Sequence, residues 1–193
     1  MHLLEHRHEP GPADPAPGSA TVWLTGLPSA GKSTIAGAVA EQLRDQGRPV
    51  EVLDGDEVRA YLSRGLGFSR ADRSENVRRI GWIAQLLARN GVTVLVPVIA
   101  PYAGDRRAVR ELHATAGTPF LEVHVATPTG TCAVRDVKGL YAKQAAGEIS
   151  GLTGVDDPYE EPVNPDLRID AHLQSSAESA AALLAELVRR NLA

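Results

Sequence analysis

A glycine-rich stretch near the start of the chain combines residue types that bind phosphate. Residues 26–33 read Gly-Leu-Pro-Ser-Ala-Gly-Lys-Ser and fit the pattern G-x-x-x-x-G-K-S/T. In such a P-loop the backbone N–H groups converge on phosphate oxygens, the lysine reaches the β- and γ-phosphates, and the hydroxyl binds Mg²⁺. A strand-like apolar run precedes the stretch and a helical period follows it, which favours this interpretation over a plain structural turn. The pattern predicts a nucleoside-triphosphate site.

The residues assigned to the nucleotide are Gly26, Leu27, Pro28, Ser29, Ala30, Gly31, Lys32, Ser33 and Thr34. Lys32 is predicted to stabilise the transferring phosphoryl group, and Ser33 is predicted to hold Mg²⁺. A P-loop does not identify the acceptor, so a GTPase, an ATPase motor and a small-molecule kinase all stay open at this point.

Two carboxylates follow the next strand-like run. Asp54 and Asp56 come at the end of residues 49–54 and directly after it. Ligands of α/β proteins bind beyond the carboxyl ends of the strands. A carboxylate there can organise Mg²⁺ or accept the proton of an attacking hydroxyl, and Asp54 is the first candidate for both roles. Arginines close by in sequence are candidates for binding anions rather than plain surface charges: Arg59, Arg73, Arg78 and Arg79.

Short apolar runs alternate with helical periods along the chain. Strands are predicted at residues 21–26, 49–54, 92–99, 120–126 and 167–171. Helices are predicted at 32–46, from Ser69 to about Gly91, and from Ser175 onward, the last with a stripe of Leu183, Leu184, Leu187 and Val188. Ser69 with Asp72, and Ser175 with Glu178, have capping-box spacing. The alternation predicts an α/β fold, a parallel β-sheet flanked by helices on both faces.

Composition limits the function classes. The chain has 193 residues and a formal net charge of −4, which favours one domain and no nucleic-acid partner. Residues 1–18 are rich in proline, glycine and charge and predict a disordered tail, whose histidines (His2, His6 and His8) are solvated rather than metal-binding, before one domain at 19–193. Apolar runs of about 18 residues and a signal peptide are both absent, so no membrane partner and a cytoplasmic location are expected.

Several separate stretches resemble adenylylsulfate kinases, which use ATP to phosphorylate the 3′-hydroxyl of adenosine 5′-phosphosulfate. The resemblance covers about residues 19–190 and rests on GLPSAGKST, LDGDEVR, LGFSRADRSENVRRIG, PVIAPYAGDR, RDVKGLYAK and GEISGLTGVDDPYEEPVNPDL. It implies a P-loop kinase with a mobile lid that acts in sulfate assimilation, forms 3′-phosphoadenosine 5′-phosphosulfate, uses ATP with Mg²⁺, and assembles as a homodimer.

The resemblance also implies roles for individual residues. Those expected to bind adenylylsulfate are Asp56, Arg59, Phe68, Arg73, Asn76, Ile99, Ala100, Lys138, Gly151 and Leu152. Arg135 is expected to contact ATP. The expected catalytic residues are Lys32, Asp54, Asp56 and Lys138, with the choice between the two aspartates as base left open. Phe68 lies between a glycine and a capping serine, which favours an exposed aromatic face over core packing.

Three positions depart from the family pattern. Ala100 stands where a serine described as phosphorylated is common, Leu152 stands where a phenylalanine usually covers the adenine, and Gly104 replaces a longer basic residue. Direct in-line transfer needs no phosphoserine, so activity is expected to survive. The alternatives are a related P-loop kinase acting on another hydroxyl, such as that of a sugar acid, and a weakly catalytic nucleotide sensor. Cys132, the one cysteine, is expected to be a buried thiol, with an adenine contact as the alternative.

Overall fold

The computed structural model of the protein describes residues 18–193. The predicted disordered tail comprises residues 1–18. Its first 17 residues, which include the three histidines, lie outside the described residues, and only Gly18 lies within them. In residues 18–193 no helix combines the length and the apolar character that crossing a membrane requires.

Five parallel strands form a single sheet in the order β2-β3-β1-β4-β5. They are β1 (Thr21–Thr25), β2 (Val50–Val52), β3 (Thr93–Pro97), β4 (Phe120–Val125) and β5 (Leu167–Ile169). Thr21 of β1 pairs with Val94 on one side and with Phe120 on the other, so β1 is central. Each strand coincides with a predicted apolar run, and the parallel arrangement is confirmed.

The helices between the strands are α1 (Lys32–Asp45), α2 (Gly55–Tyr61), α3 (Arg70–Arg89), α4 (Ala103–Thr115), α5 (Thr129–Arg135), α6 (Leu140–Ala145) and α7 (Ser176–Arg189). The three predicted helices correspond to α1, α3 and α7, while the other four were not predicted. Helix α4 escaped detection because its fully buried positions include a charged and an imidazole side chain, Arg106 and His113, beside Val109. That mixture hides the apolar period on which sequence interpretation depends.

Helices cover both faces of the sheet, as predicted. Val22 and Leu24 of β1 belong to the core cluster that includes Ile35 of α1 and Leu183 of α7. Trp23, between them, points to the other face and joins the cluster that includes Ile80 of α3. Successive strand side chains alternate between faces, so an uninterrupted apolar strand supplies two cores at once.

The caps predicted for α3 and α7 are present. The Ser69 hydroxyl accepts a bond from the Asp72 backbone N–H at 3.2 Å. Ser175 and Glu178 form a complete capping box at the start of α7. The predicted apolar stripe of α7 is wrong at one position, because Val188 is 60% exposed whereas Leu183 and Leu187 are fully buried.

Parallel strands bring all their carboxyl ends to one edge of the sheet. The P-loop follows β1 there, Asp54 follows β2, and the segment 98–101 follows β3. Since the three segments share that edge, motifs far apart in the sequence meet at one site.

Candidate active site

A cavity of about 620 Å³ lies at the carboxyl edge of the sheet. In the order of the strands the P-loop, which follows the central β1, comes between the lining segments that follow β3 and β5. Toward α3 the cavity is lined by the group that we call the α3 end: Arg59, Phe68, Arg73, Asn76, Ile99 and Ala100. Toward α7 it is lined by the group that we call the α7 end: Arg135, Ala171, Gln174, Ser176 and Ser179. The cavity thus has two separate ends that share one phosphate-binding centre.

Two glycines of the P-loop occupy positions where a residue with a Cβ would meet a clash, at Gly26, or backbone strain, at Gly31. A Cβ on Gly26 would lie 2.6 Å from the carbonyl oxygen of Val125 in β4. Gly31, at the N-cap of α1, has φ 107°, and it provides no side-chain cap. The first N–H groups of a helix have no partners within the helix, so those of α1 stay available to an anion. Residues 28–34 line the cavity, whereas Gly26 and Leu27 lie behind it.

Lys32 is folded back onto its own loop. Its Nζ donates to the carbonyl oxygens of Gly26 at 2.9 Å and of Leu27 at 2.7 Å. The side chain is buried, and this burial lowers the pKa of Lys32 from 10.5 to about 8 despite the nearby carboxylates of Asp54 and Asp56. A buried ammonium held only by neutral carbonyls favours the arrival of an anion, because charge then meets charge.

Ser33 and Asp54 meet beside the P-loop. The Ser33 hydroxyl donates to Asp54 Oδ2 at 2.6 Å, and Asp54 Oδ1 accepts from the backbone N–H of Asp56 at 3.0 Å. Asp54 is therefore the N-cap of α2, which fixes the direction of its carboxylate. A hydroxyl and a carboxylate oxygen side by side next to a phosphate-binding loop fit the oxygen donors that Mg²⁺ prefers.

Asp56 and Lys138 form an ion pair across the cavity. Asp56 belongs to α2, while Lys138 lies between α5 and α6, in the segment predicted to be a lid. Both side chains are more than half exposed (68% and 56%), and both line the cavity. The structure therefore brings the two residues together, and their roles in catalysis stay predictions.

The α3 end presents an aromatic ring and an unused amide oxygen. Phe68 is 67% exposed, as expected, and the Arg59 guanidinium lies 4.5 Å from its ring centroid. Burial, and next the charge of Arg73, lower the pKa of Arg59. Asn76 is buried, and its Oδ1 has no hydrogen-bond partner among the described residues. Buried polar atoms are rarely left unpaired, so this oxygen points to a ligand donor.

Arg73 is engaged by the protein itself. It donates to the carbonyl oxygens of Phe68 at 2.8 Å and of Gly151 at 2.6 Å, and to the Thr153 hydroxyl at 3.0 Å. Gly151 does not line the cavity, and neither does Leu152, which is 6% exposed in the core cluster of α1 and α7. The structure thus brings Arg73 but not these two residues to the cavity wall. A role for Leu152 at an adenine stays a prediction.

The segment after β3 forms a second part of the wall of the α3 end. Ile99 and Ala100 line the cavity, and the Thr25 hydroxyl donates to the Ile99 carbonyl oxygen at 2.5 Å. Ala100 has φ 42°, a left-handed backbone that is uncommon for a residue with a Cβ. Gly104, in the first turn of α4, is exposed, and no atom of residues 18–193 lies within 4 Å of the place of a Cβ.

The α7 end is where sequence interpretation missed most. Arg135, which was predicted, donates to the carbonyl oxygens of Ala30 at 3.2 Å and of Ala171 at 2.9 Å. Gln174, Ser176 and Ser179 also line the cavity and were not predicted. The end of β5 was the available signal, because ligands gather beyond strand ends. Cys132 is a buried thiol of the core cluster, as expected, and does not line the cavity.

Known proteins resemble this chain over most of its length. The adenylylsulphate kinase family model matches residues 18–170. A probable adenylyl-sulfate kinase of Synechocystis sp. is 54% identical over 168 residues, covering 87% of this chain and 93% of the relative. An adenylyl-sulfate kinase of Myxococcus xanthus is 51% identical over 171 residues, covering 89% of this chain and 92% of the relative.

One solved structure gives the same result. The APS kinase of Mycobacterium tuberculosis, solved in complex with AMPPNP and APS, matches with a TM-score of 0.87 and 48% sequence identity. The match covers 90% of this chain and 99% of that one. The likeness therefore extends over the whole fold and not only over the P-loop.

Proposed function

The chain belongs to the adenylylsulphate kinase family, and we propose that it transfers the γ-phosphoryl group of ATP to the 3′-hydroxyl of adenosine 5′-phosphosulfate. The products are ADP and 3′-phosphoadenosine 5′-phosphosulfate, the activated sulfate of sulfate assimilation. The observation that carries the proposal is the cavity whose lining includes the P-loop, the α3 end and the α7 end. Such an arrangement suits a transfer between two nucleotides better than hydrolysis of one.

The donor nucleotide occupies the P-loop and the α7 end. Lys32 leaves the carbonyls of its own loop for the β- and γ-phosphates, where an ammonium stabilises the charge of the transferring group. Arg135 joins the P-loop to the segment after β5 and so sits between triphosphate and base. Ser33 and Asp54 would hold Mg²⁺, which supplies positive charge to the β- and γ-phosphate oxygens when bound.

The acceptor nucleotide occupies the α3 end. The exposed face of Phe68 offers a stacking surface for a purine, and the free Oδ1 of Asn76 accepts a hydrogen bond. Arg59 lies over the same ring and is suited to the phosphosulfate, since its fork of N–H donors matches anionic oxygens. Both sides of the substrate thus have a partner of matching chemistry.

The transfer itself needs a proton acceptor and a neutralising charge. Asp54 is directed by its cap contacts toward the P-loop, so it accepts the proton of the attacking hydroxyl, with Asp56 as the alternative base. Lys138 carries a positive charge over the cavity on the lid and balances the negative charge of the two nucleotides. Neither role requires a phosphorylated residue at Ala100.

A panel of acceptors tests the proposal. ATP consumption is measured with adenosine 5′-phosphosulfate, gluconate, shikimate and adenosine monophosphates, with the Lys32→Ala variant as a background control. The proposal expects turnover that depends on adenosine 5′-phosphosulfate and is lost in the control. Turnover with gluconate or shikimate and none with the phosphosulfate would show that this is a kinase of another hydroxyl.

The assembly and the location belong to the same proposal. We propose a homodimer, in line with the sequence resemblance, and light scattering of the purified protein tests it. We propose a cytoplasmic location because the reaction consumes ATP, and cell fractionation followed by immunodetection tests it.

A further inference from the structure

We infer that Arg106, a residue outside the cavity, positions the wall of the α3 end by holding the segment 99–101 in its conformation. Arg106 is not among the residues that line the cavity, and it acts on the cavity through its hydrogen bond to Ala100, which does line it. The inference rests on the proposed function for the identity of the ligand that this wall contacts.

Arg106 binds three separate segments with one guanidinium. Its side chain is 3% exposed. One terminal nitrogen donates to the Ala100 carbonyl oxygen at 2.8 Å, and the other donates to the Glu160 carbonyl oxygen at 2.6 Å. Its Nε donates to Glu122 Oε1 of β4 at 2.7 Å. The planar fork of arginine makes three directed bonds at once, which a lysine cannot reproduce.

The backbone that Arg106 holds is one that would not persist unaided. Ala100 has φ 42° and is 3% exposed. A residue with a Cβ in the left-handed region is strained, and it stays there only where its surroundings fix it. The bond from Arg106 to the Ala100 carbonyl oxygen fixes this peptide directly.

A second set of contacts supports the same segment from behind. The Glu160 N–H donates to the Pro101 carbonyl oxygen at 2.9 Å, and Glu160 Oε2 accepts from the Ala103 N–H at 2.7 Å. The Tyr159 hydroxyl lies 3.0 Å from the Thr25 hydroxyl, which itself donates to the Ile99 carbonyl oxygen. Arg106 also donates to the Glu160 carbonyl oxygen, so it binds both Ala100 of the cavity wall and the residue that contacts Pro101 and Ala103.

The consequence is specific to one ligand. The segment 99–101 lines the α3 end, whereas the P-loop is anchored by contacts that do not include Arg106. Loss of Arg106 should loosen the acceptor wall and leave the donor site in place. A merely structural role would instead lower stability without distinguishing the two substrates.

Helix α4 offers a matched control. Arg110 lies one turn further along and shares a partner with Arg106, because its terminal nitrogen is 3.5 Å from Glu122 Oε2. Its other carboxylate partner is Asp166 at 2.6 Å. Arg110 is 38% exposed and has no hydrogen bond to Ala100 or Glu160 among those of the described chain.

The test compares Arg106→Gln, Arg106→Lys and Arg110→Gln with the unaltered protein. KM and kcat are measured for both substrates. We expect Arg106→Gln to raise KM for adenosine 5′-phosphosulfate on the order of tenfold, the equivalent of one lost charge-assisted bond. KM for ATP should stay within about twofold, Arg106→Lys should be intermediate, and Arg110→Gln should leave both values unchanged.

A second measurement needs no substrate. Hydrogen exchange of the amides of residues 98–103 (Pro101 has none), followed by mass spectrometry, should be faster in both Arg106 variants and unchanged in Arg110→Gln. If Arg106→Gln does not fold, Arg106→Lys carries the comparison, since it keeps a positive charge beside Glu122. Equal rises of both KM values, or unchanged exchange with an unchanged acceptor KM, would overturn the inference.

The outcomes separate this inference from the proposed function. Failure of the proposed function appears as an unaltered protein without phosphosulfate-dependent turnover, and the exchange experiment then decides the role of Arg106 alone. Failure of the inference appears as an unaltered protein that turns over normally beside Arg106 variants that bind the acceptor equally well.

Discussion

At the scale of single residues, Lys32 carries a prediction about the charge of the P-loop. Its ammonium is buried against two carbonyl oxygens, and the cost of burying a charge lowers its pKa to about 8. A triphosphate would supply the negative charge that the loop lacks. Binding and protonation of Lys32 are therefore coupled.

The coupling predicts how nucleotide affinity depends on pH. Below pH 8 most Lys32 side chains already carry the proton, so binding takes up none. Above the pKa of about 8 the free protein has lost the proton, and the nucleotide must draw it back. The affinity for AMPPNP should thus fall as pH rises above 8, by up to about tenfold per unit.

Titration calorimetry at pH 9, in two buffers of different ionisation enthalpy, measures the proton directly. Uptake should approach one proton per AMPPNP, and Lys32→Ala should show none. The same variant should lose turnover on the order of 10²-fold or more, as expected when a preorganised charge is removed. Equal heats in the two buffers would show that AMPPNP binding takes up no net proton at pH 9 and would contradict the coupling.

Asp54 carries a second prediction at this scale. Asparagine is as good a helix N-cap as aspartate, so Asp54→Asn should keep α2 in place while removing the charge and the basicity. Turnover should collapse, whereas adenosine 5′-phosphosulfate, measured by calorimetry, should still bind. Asp56→Asn is the matched variant. Normal turnover in Asp54→Asn together with loss of turnover in Asp56→Asn would show that Asp56, and not Asp54, is the base.

At the scale of elements, what sequence patterns reveal depends on the environment of each element. The strands and α1, α3 and α7 are long or uninterrupted in their apolar period, and α3 and α7 begin with local serine caps, so all of them were predictable. Helix α4 buries Arg106 and His113, whose partners lie far away in sequence. Helices α5 and α6 have only seven and six residues, too few to show a period.

The lid gives the prediction that belongs to this scale. The Asp56–Lys138 pair is exposed on both sides, and exposed pairs contribute little to stability, about 0–1 kcal/mol. Lys138→Ala should therefore leave the melting temperature unchanged. If Lys138 meets the transferring charge when the lid is closed, kcat should nevertheless fall on the order of 10²-fold.

The control is Lys143→Ala, an exposed lysine of α6 in the same lid. It should leave kcat and stability unchanged. A drop in melting temperature for Lys138→Ala with little loss of kcat would mean that the ion pair is structural.

At the scale of the whole molecule, the site arises because one edge of the sheet collects residues from distant parts of the chain. The P-loop, Asp54 and Arg59 were predictable because charged and glycine residues follow strands directly. Gln174, Ser176 and Ser179 were not predictable, because serine and glutamine are common in loops. These residues reach the cavity because β5 pairs with β4 at the edge of the sheet. The patterns and the family resemblance together predicted the centre and the α3 end, and they missed most of the α7 end.

The two-ended cavity predicts that a substitution at one end can abolish the binding of one substrate while the other substrate still binds. A ligand at 100 times its Kd stabilises the folded state by about 2.7 kcal/mol, which for a chain of this size raises the melting temperature by roughly 5–10 °C. Lys32→Ala should reduce the rise produced by AMPPNP and keep the rise produced by adenosine 5′-phosphosulfate. Asn76→Ala should do the reverse, because Asn76 belongs to the α3 end and its Oδ1 has no hydrogen-bond partner among the described residues. Thermal melts of both variants with each ligand make the test, and two variants that each lose both responses while melting normally without ligand would mean that the ends do not bind independently.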